Sequence, residues 1–187
     1  ATAGTVAGAY TVVATAPGVA APVVVNLANL PDVPASIVAT DLSKAQAAEI
    51  ATALGQPLAV VVKDAHGNAA PGATVTFHVP AGEPTAVLSA ATATTDASGA
   101  ASVTATAGLV TGTYPVTASV AGVATPASFA IENTAAAPAT VTSVSGTPQL
   151  AVVDASYGAP LVVIVKDGHA NPVPGATVAW AAPASGA

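Results

Sequence analysis

The sequence contains no cysteine. Disulfides, thiol catalysis and thiolate metal sites are excluded together. Only 3 of the 187 residues are Lys or Arg, and the formal net charge is −6. Affinity for nucleic acid is built from many contacts between such cations and phosphates, so that class of partner is excluded. An anionic membrane surface is disfavoured for the same reason. Charged residues make up 6% and aromatics 3% of the chain. This inventory is too small for an enzyme, and no His/Asp pair is placed to activate a serine or threonine. There is no glycine loop of the phosphate-cradling kind and no Asn-x-Ser/Thr acceptor. The mean hydropathy is +0.68, but Gly, Pro and polar residues break every apolar run short of the ~18 residues that a membrane span needs. No signal peptide is legible at Ala1, as expected of a fragment or of a mature chain.

Small apolar residues fill the chain instead. Hydrophobic residues reach 52%, the reverse of a disordered composition. Most are Ala and Val, so the expected core is thin and tightly packed. The chain also repeats itself. Pro57-Leu58-Ala59-Val60-Val61-Val62-Lys63-Asp64 returns as Pro160-Leu161-Val162-Val163-Ile164-Val165-Lys166-Asp167, a shift of 160 − 57 = 103 residues. Gly8-Ala9-Tyr10-Thr11-Val12 returns as Gly112-Thr113-Tyr114-Pro115-Val116, a shift of 112 − 8 = 104 residues. Self-similarity at a fixed period signals an array. The expected organisation is the end of one repeat in residues 1–31, a complete repeat in 32–134 and the start of a third in 135–187.

Period-two alternation places the strands of the complete repeat. They are expected at 34–40, 58–63, 73–79, weakly within 86–95, and at 101–106, 114–120 and 125–131. On the third of these, Val75, Phe77 and Val79 point inward, with Thr74, Thr76 and His78 outward. Turns follow the glycines: Asp64-Ala65-His66-Gly67-Asn68, Pro71-Gly72, Asp96-Ala97-Ser98-Gly99 and Ala121-Gly122. Seven short strands in about 100 residues describe an all-β, immunoglobulin-like antiparallel sandwich. Phe77 and its counterpart Trp180 occupy the strand that carries a core aromatic in such sandwiches. Tyr10 and Tyr114 stand where a tyrosine corner bonds its hydroxyl back to the backbone. Residues 44–54 are ambiguous. Ser43-Lys44-Ala45-Gln46 has the form of a helix capping box, but the counterpart at 147–153 looks extended. A short strand or loose turn is favoured, with a brief helix as the alternative.

The string Pro-Leu-x-Val-x-Val-Lys-Asp, the Gly67-Asn68 turn or its counterpart Asn171-Pro172-Val173-Pro174-Gly175, the Ala-Thr-Val that follows, Thr95-Asp96-Ala97-Ser98-Gly99, and Gly-x-Tyr-x-Val-x-Ala resemble the bacterial immunoglobulin-like repeat of the intimin/invasin type. The likeness runs along essentially the whole chain. It implies tandem repeats in a large bacterial surface protein, where they form a stalk that holds an adhesive tip away from the cell.

Few residues are candidates for chemistry. His66 and His169 lie beside Asp64 and Asp167 in equivalent turns, but each copy offers one histidine and one aspartate with no third ligand. The simpler expectation is that both aspartates bond the turn backbone. The Asp96 turn lacks the spaced carboxylates and terminal glutamate of a calcium loop. The stretches between repeats, with Glu132 and Asn133 in one and Asn29 and Asp32 in the other, carry a single acid each. No catalytic residue, cofactor-binding residue or metal ligand is assigned. The outward positions Ala59 and Val61, with Val162 and Ile164 in the next copy, are apolar where a solvated sheet should be polar. Lateral association with other copies is the reading they suggest. The expected function is a structural spacer in an extracellular bacterial fibre or adhesin stalk, with neighbouring repeats as partners. A laterally associating polymer is the variant, and a sugar- or receptor-binding module the alternative. Burial of the aromatic rings favours the rod; exposure favours binding. A lone hairpin is marginal in water, so each partial repeat is expected to need completion by another copy or by residues outside this sequence.

Overall fold

The computed structural model describes residues 2–184. Fourteen strands and no helix are present among them, and none of the described residues forms a helix long and apolar enough to cross a membrane. An N-terminal hairpin joins β1 (Gly8–Ala14) to β2 (Val23–Asn29) in unbroken antiparallel register. The middle of the chain then builds a sandwich. One layer is β3 (Ser36–Ala39), β5 (Leu58–Lys63) and β9 (Ala100–Val103), with β5 in the centre. The other has the order β4-β12-β11-β6-β8, from β4 (Ala45–Glu49), β6 (Thr74–His78), β8 (Thr92–Thr94), β11 (Gly112–Val120) and β12 (Ala127–Thr134). A small ribbon pairs β7 (Ala86–Leu88) with β10 (Ala105–Ala107). A C-terminal hairpin pairs β13 (Thr140–Ser145) with β14 (Val162–Lys166) across a bulge between Ser143 and Ser145.

The core follows the alternation. Leu58, Val60 and Val62 on β5 face Val75 and Phe77 on β6, Val116 and Ala118 on β11, and Phe129 and Ile131 on β12. Phe129, Val60, Val62, Val75 and Val116 are fully buried. The Phe77 and Phe129 rings stack with centroids 6.4 Å apart and planes inclined by 28°. Alanines 39, 86, 101, 105, 118 and 127 fill the rest. Small side chains let the two layers approach closely, and the few large ones supply most of the apolar area removed from water.

Three expectations need correction. The weak fourth strand is two short strands, β7 and β8. The fifth, expected unbroken at 101–106, divides at Thr104, so that β9 extends one layer while β10 leaves it to pair with β7. Alternation alone cannot show such a change of partner. Residues 45–49 form the favoured strand and not a helix: β4 lies parallel to β12, from Ala45 opposite Ala130 to Glu49 opposite Thr134. Its alanines have high helix propensity, but a free sheet edge offers a full ladder and outweighs that weak preference. Ser43 caps no helix. Its buried hydroxyl donates to the carbonyls of Ala59 and Thr40, both at 3.1 Å, tying one layer to the chain entering the other.

The third correction concerns the C-terminal part. Residues 176–180 form no strand, and Trp180 is 58% exposed. The matching segment of the sandwich, β6, is held between β11 and β8. The described residues contain no such neighbours for 176–180. Tyr10 on the N-terminal hairpin is likewise exposed, while its counterpart Tyr114 is buried. Residues 147–153 form no strand either, but the copies agree in side-chain chemistry there. The Gln46 amide donates to the Gln56 carbonyl at 3.0 Å and accepts from the Gln56 N–H at 2.8 Å. Gln149, 103 residues on, makes the same two bonds to Ala159 at 2.9 and 2.8 Å.

Candidate functional site

The residues singled out for possible chemistry turn out to hold neighbouring parts of the chain together. Asp64 is 4% exposed. Its Oδ1 accepts from the N–H groups of His66 at 2.9 Å and Asn68 at 2.8 Å, closing the turn as expected. Its Oδ2 accepts from the Asn68 amide at 2.8 Å and from the N–H of Asp32 at 3.0 Å, on the segment that leads in from the N-terminal hairpin. The Asn68 side chain then reaches that hairpin. Its Nδ2 donates to the Thr5 carbonyl and its Oδ1 accepts from the Ala7 N–H, both at 2.9 Å.

The same device recurs one period later. Asp167, 2% exposed, accepts from the N–H groups of His169 and Asn171 through Oδ1, both at 2.9 Å. It accepts from the Asn171 amide at 3.0 Å and from the Ala136 N–H at 3.2 Å through Oδ2. Asn171 in turn donates to the Leu109 carbonyl at 2.9 Å and accepts from the Thr111 N–H at 3.2 Å. Each partner is displaced by 103 or 104 residues from its counterpart: 171 − 68 = 103, 109 − 5 = 104, 111 − 7 = 104 and 136 − 32 = 104. The Ala35 N–H bonds the Lys63 carbonyl and the Ala139 N–H bonds the Lys166 carbonyl, both at 2.8 Å, so the backbone beside each clamp is also the same.

Each carboxylate is held by donors and faces no cation. The Asn68 amide is the main reason that the Asp64 carboxyl is lowered to about 2; burial opposes it, and the N–H groups of Asp32, Asn68 and His66 add to the lowering. At Asp167 burial pushes the carboxyl up, but the Asn171 amide and the N–H groups of Asn171, His169 and Ala136 together hold it below the ordinary range. Both side chains are therefore ionised acceptors at neutral pH.

His66, His169 and His78 are exposed. Only the backbone N–H of His66 and of His169 joins the clamps. Among the described residues no three His, Cys, Asp or Glu side chains gather where they could hold a metal ion. Asp96 closes its own turn: the Ser98 hydroxyl donates to it at 2.6 Å, and the N–H groups of Ser98 and Ala100 at 2.8 and 3.0 Å. These bonds, the Ser98 hydroxyl foremost, lower its carboxyl. Asp32 accepts from the Val33 N–H at 2.7 Å, and Glu132 is exposed. A shallow hollow of about 610 Å³ lies over β4, β11 and β12; Glu132 and Tyr114 are the only titratable residues along it.

Asn133 proves to be a packing centre. It is 1% exposed. Its Oδ1 accepts from the Tyr114 hydroxyl at 2.9 Å, and its Nδ2 donates to the carbonyls of Thr85 at 2.9 Å and Val110 at 3.1 Å. The tyrosine corner is thus indirect, with an asparagine relaying the hydroxyl to the backbone. Burial raises the Tyr114 hydroxyl pKa; the Asn133 bond opposes that, and the Glu83 charge adds to it. Asn29 repeats one arm of the arrangement, donating to the Val6 carbonyl at 3.0 Å. Of the four apolar outward positions, Val162 is 39% exposed, while Ala59, Val61 and Ile164 are half-buried.

Residues 55–132 match the family model described as bacterial Ig-like domain (group 1). The chain resembles the solved structure of FdeC, an Escherichia coli adhesin, at 23% identity and a TM-score of 0.60, covering 92% of this chain and 54% of that one. It resembles Yersinia pseudotuberculosis InvD at 19% identity and a TM-score of 0.55, covering 92% and 53%. It also resembles invasin, a bacterial integrin-binding protein, at 21% and 0.55, covering 92% and 34%. The chain thus spans about half the length of the first two. At these identities the likeness shows the shared fold. No curated protein matches the chain.

Proposed function

We propose that the chain, whose residues 55–132 match the bacterial Ig-like domain model, is a spacer segment of a bacterial surface adhesin or fibre, in which successive sandwiches are clamped end to end. In this reading residues 1–31 close a preceding repeat, 32–134 are one repeat, and 135–187 open the next. The observation that carries it is the repetition of the Asp–Asn clamp with every partner one period apart. A flexible string of domains would need no such bonds, because linkers alone would join it. Two side-chain bonds on top of a short Pro-containing connection limit bending and fix rotation between neighbours. The adhesins with the same fold support the cell-surface location. Burial of Tyr114 supports a packing role for that ring, and the exposed rings Tyr10, Tyr157 and Trp180 lie outside the complete sandwich.

Immunogold electron microscopy of the producing bacterium, with an antibody raised against this chain, tests the proposal. Label along thin extracellular fibres is expected. Label confined to the cytoplasm would refute it.

A further inference from the structure

The two outer faces of the middle sandwich carry side chains that match one another. The three-stranded layer turns Val38, Val61 and Ala100 outward in one row across β3, β5 and β9. Val38 is 55% exposed. Lys63 stands in the adjoining row, two residues past Val61 on the central strand and opposite Ser36. The five-stranded layer turns Ala45, Ala130 and Pro115 outward in one row across β4, β12 and β11. These three residues line the hollow of about 610 Å³. Glu132 stands in the adjoining row, two residues past Ala130 and between Ala47 and Thr113. Each face is thus a three-residue apolar row with one charge set beside its centre, and the two charges have opposite sign. Both charged side chains are exposed. Among the described residues the only ion pair is Lys44–Asp41, so neither Lys63 nor Glu132 has a partner within the chain.

We propose that the three-stranded face of one chain docks on the five-stranded face of a second copy, with Val38 and Val61 seated over the alanine floor of the hollow and Lys63 against Glu132. Centring one row on the other, with β5 and β12 running the same way, brings the two charges together, because each lies two residues past the centre of its row. The short side chains of Ala45, Ala130 and Pro115 leave room for the valines, as facing sheets require. Glu49, outward one row beyond Glu132 on β4, adds a second acid to the receiving face. Asp96, beside β9 on the donor face, is taken up by its own turn. The two faces lie on opposite sides of one sandwich, so the contact is heterologous and continues from chain to chain as a lateral stack. Nine positions, about 4.8 Å apart across strands and about 6.7 Å apart along them, cover roughly 300 Å² per partner. That is well below the roughly 800 Å² per partner of a stable pair. A single contact is therefore weak, and cohesion requires several such sandwiches along each chain. The next copy repeats the cation at Lys166 but has Thr142 in the place of Val38, so the middle sandwich alone carries the complete donor row among the described residues. The docking is a property of the sandwich; its use in bundling fibres rests on the spacer reading.

Sedimentation equilibrium of the full chain, at submillimolar to millimolar concentration and low ionic strength, tests the match by exchanging its charges. Lys63→Glu and Glu132→Lys each set like charges face to face and are expected to weaken self-association roughly threefold or more. An equimolar mixture of the two variant chains restores opposite charges at every contact and should recover the parent's association to within about twofold. Ala130→Gln fills the hollow without changing charge and should weaken association as well. All three positions are exposed, so melting temperatures should match the parent's. A parent chain that stays monomeric, variants that associate as the parent does, or a mixture no stronger than its separate components would overturn the docking. Association through the partial repeats at either end is indifferent to these substitutions and so counts against it. The immunogold test reads location alone, so the two ideas fail separately.

Discussion

Replacing Asn171 with alanine removes the two bonds that cross from the C-terminal part to the Leu109–Thr111 segment, together with the amide's bond to Asp167 inside its own turn. Those bonds are Asn171 Nδ2 to the Leu109 carbonyl at 2.9 Å and the Thr111 N–H to Asn171 Oδ1 at 3.2 Å. A net contribution of about 0.5–1.5 kcal/mol per bond makes the loss about 1–3 kcal/mol, or roughly a 5- to 150-fold rise in the population of the opened junction. The core of the middle sandwich contains no part of Asn171, so its melting temperature should stay put. Spin labels at Val87→Cys on β7 and Val144→Cys on β13, both exposed, report the junction by pulsed electron double resonance. A single narrow distance is expected for the parent chain and a broad distribution for the alanine variant. Asn171→Asp should broaden it as well, because a carboxylate there cannot donate to Leu109 and would stand about 3 Å from the Asp167 carboxylate. Unchanged widths in both variants would refute the idea that this asparagine stiffens the junction.

Three further outcomes follow from the packing and the electrostatics. Phe129→Ala empties the centre of the Phe77–Phe129 stack and should cost about 3–5 kcal/mol, a large share of the roughly 5–15 kcal/mol that holds a domain folded; a urea titration measures it. Asn133→Ala strands the Tyr114 hydroxyl and the Val110 carbonyl and leaves the Thr85 carbonyl with the Gly108 N–H alone, with an expected loss of about 2–4 kcal/mol at roughly 1 kcal/mol per bond; adding Tyr114→Phe should then cost little more, which a double-mutant cycle detects. The Asp64 carboxyl is lowered from 3.8 to about 2, so its stabilising effect is complete above pH 3.8 and is lost as the pH falls toward 2. Thermal melts between pH 5 and pH 2 should show this acid-dependent loss in the parent chain and a shallower slope in Asp64→Asn.

The sandwich was legible because its signals are local. Leu58, Val60 and Val62 alternate with outward neighbours, and the turn glycines stand between strands, so the layers and most of the core could be read directly. What alternation could not supply was partnership. Nothing at Thr104 announces that the strand leaves one layer for another, and nothing in the alanines at 45, 47 and 48 says that they will take up a parallel edge. The clamp was half visible. Asp64 and Asp167 were expected to bond their turns, and they do. Their reach to Asp32 and Ala136, at the start of each repeat, leaves no signal in the turns themselves. Asn68 and Asn171 lie in equivalent turns, and their shared phase in the repeat is the available signal. A shared phase marks a position without giving its partner, since the Thr5 and Leu109 carbonyls are backbone atoms that leave no mark in the sequence. Asn133 reads in the sequence as part of the stretch between repeats, but its burial and its bond from the Tyr114 hydroxyl make it part of the packing.

The most direct test of the account is a crystal structure of the whole chain, compared at its two junctions. Superposing the Asp32–Asn68 region with the Ala136–Asn171 region should carry Thr5–Ala7 onto Leu109–Thr111 with the same bonds and the same relative rotation. Junctions of different angle, with either asparagine turned to solvent, would contradict a chain of identically clamped repeats.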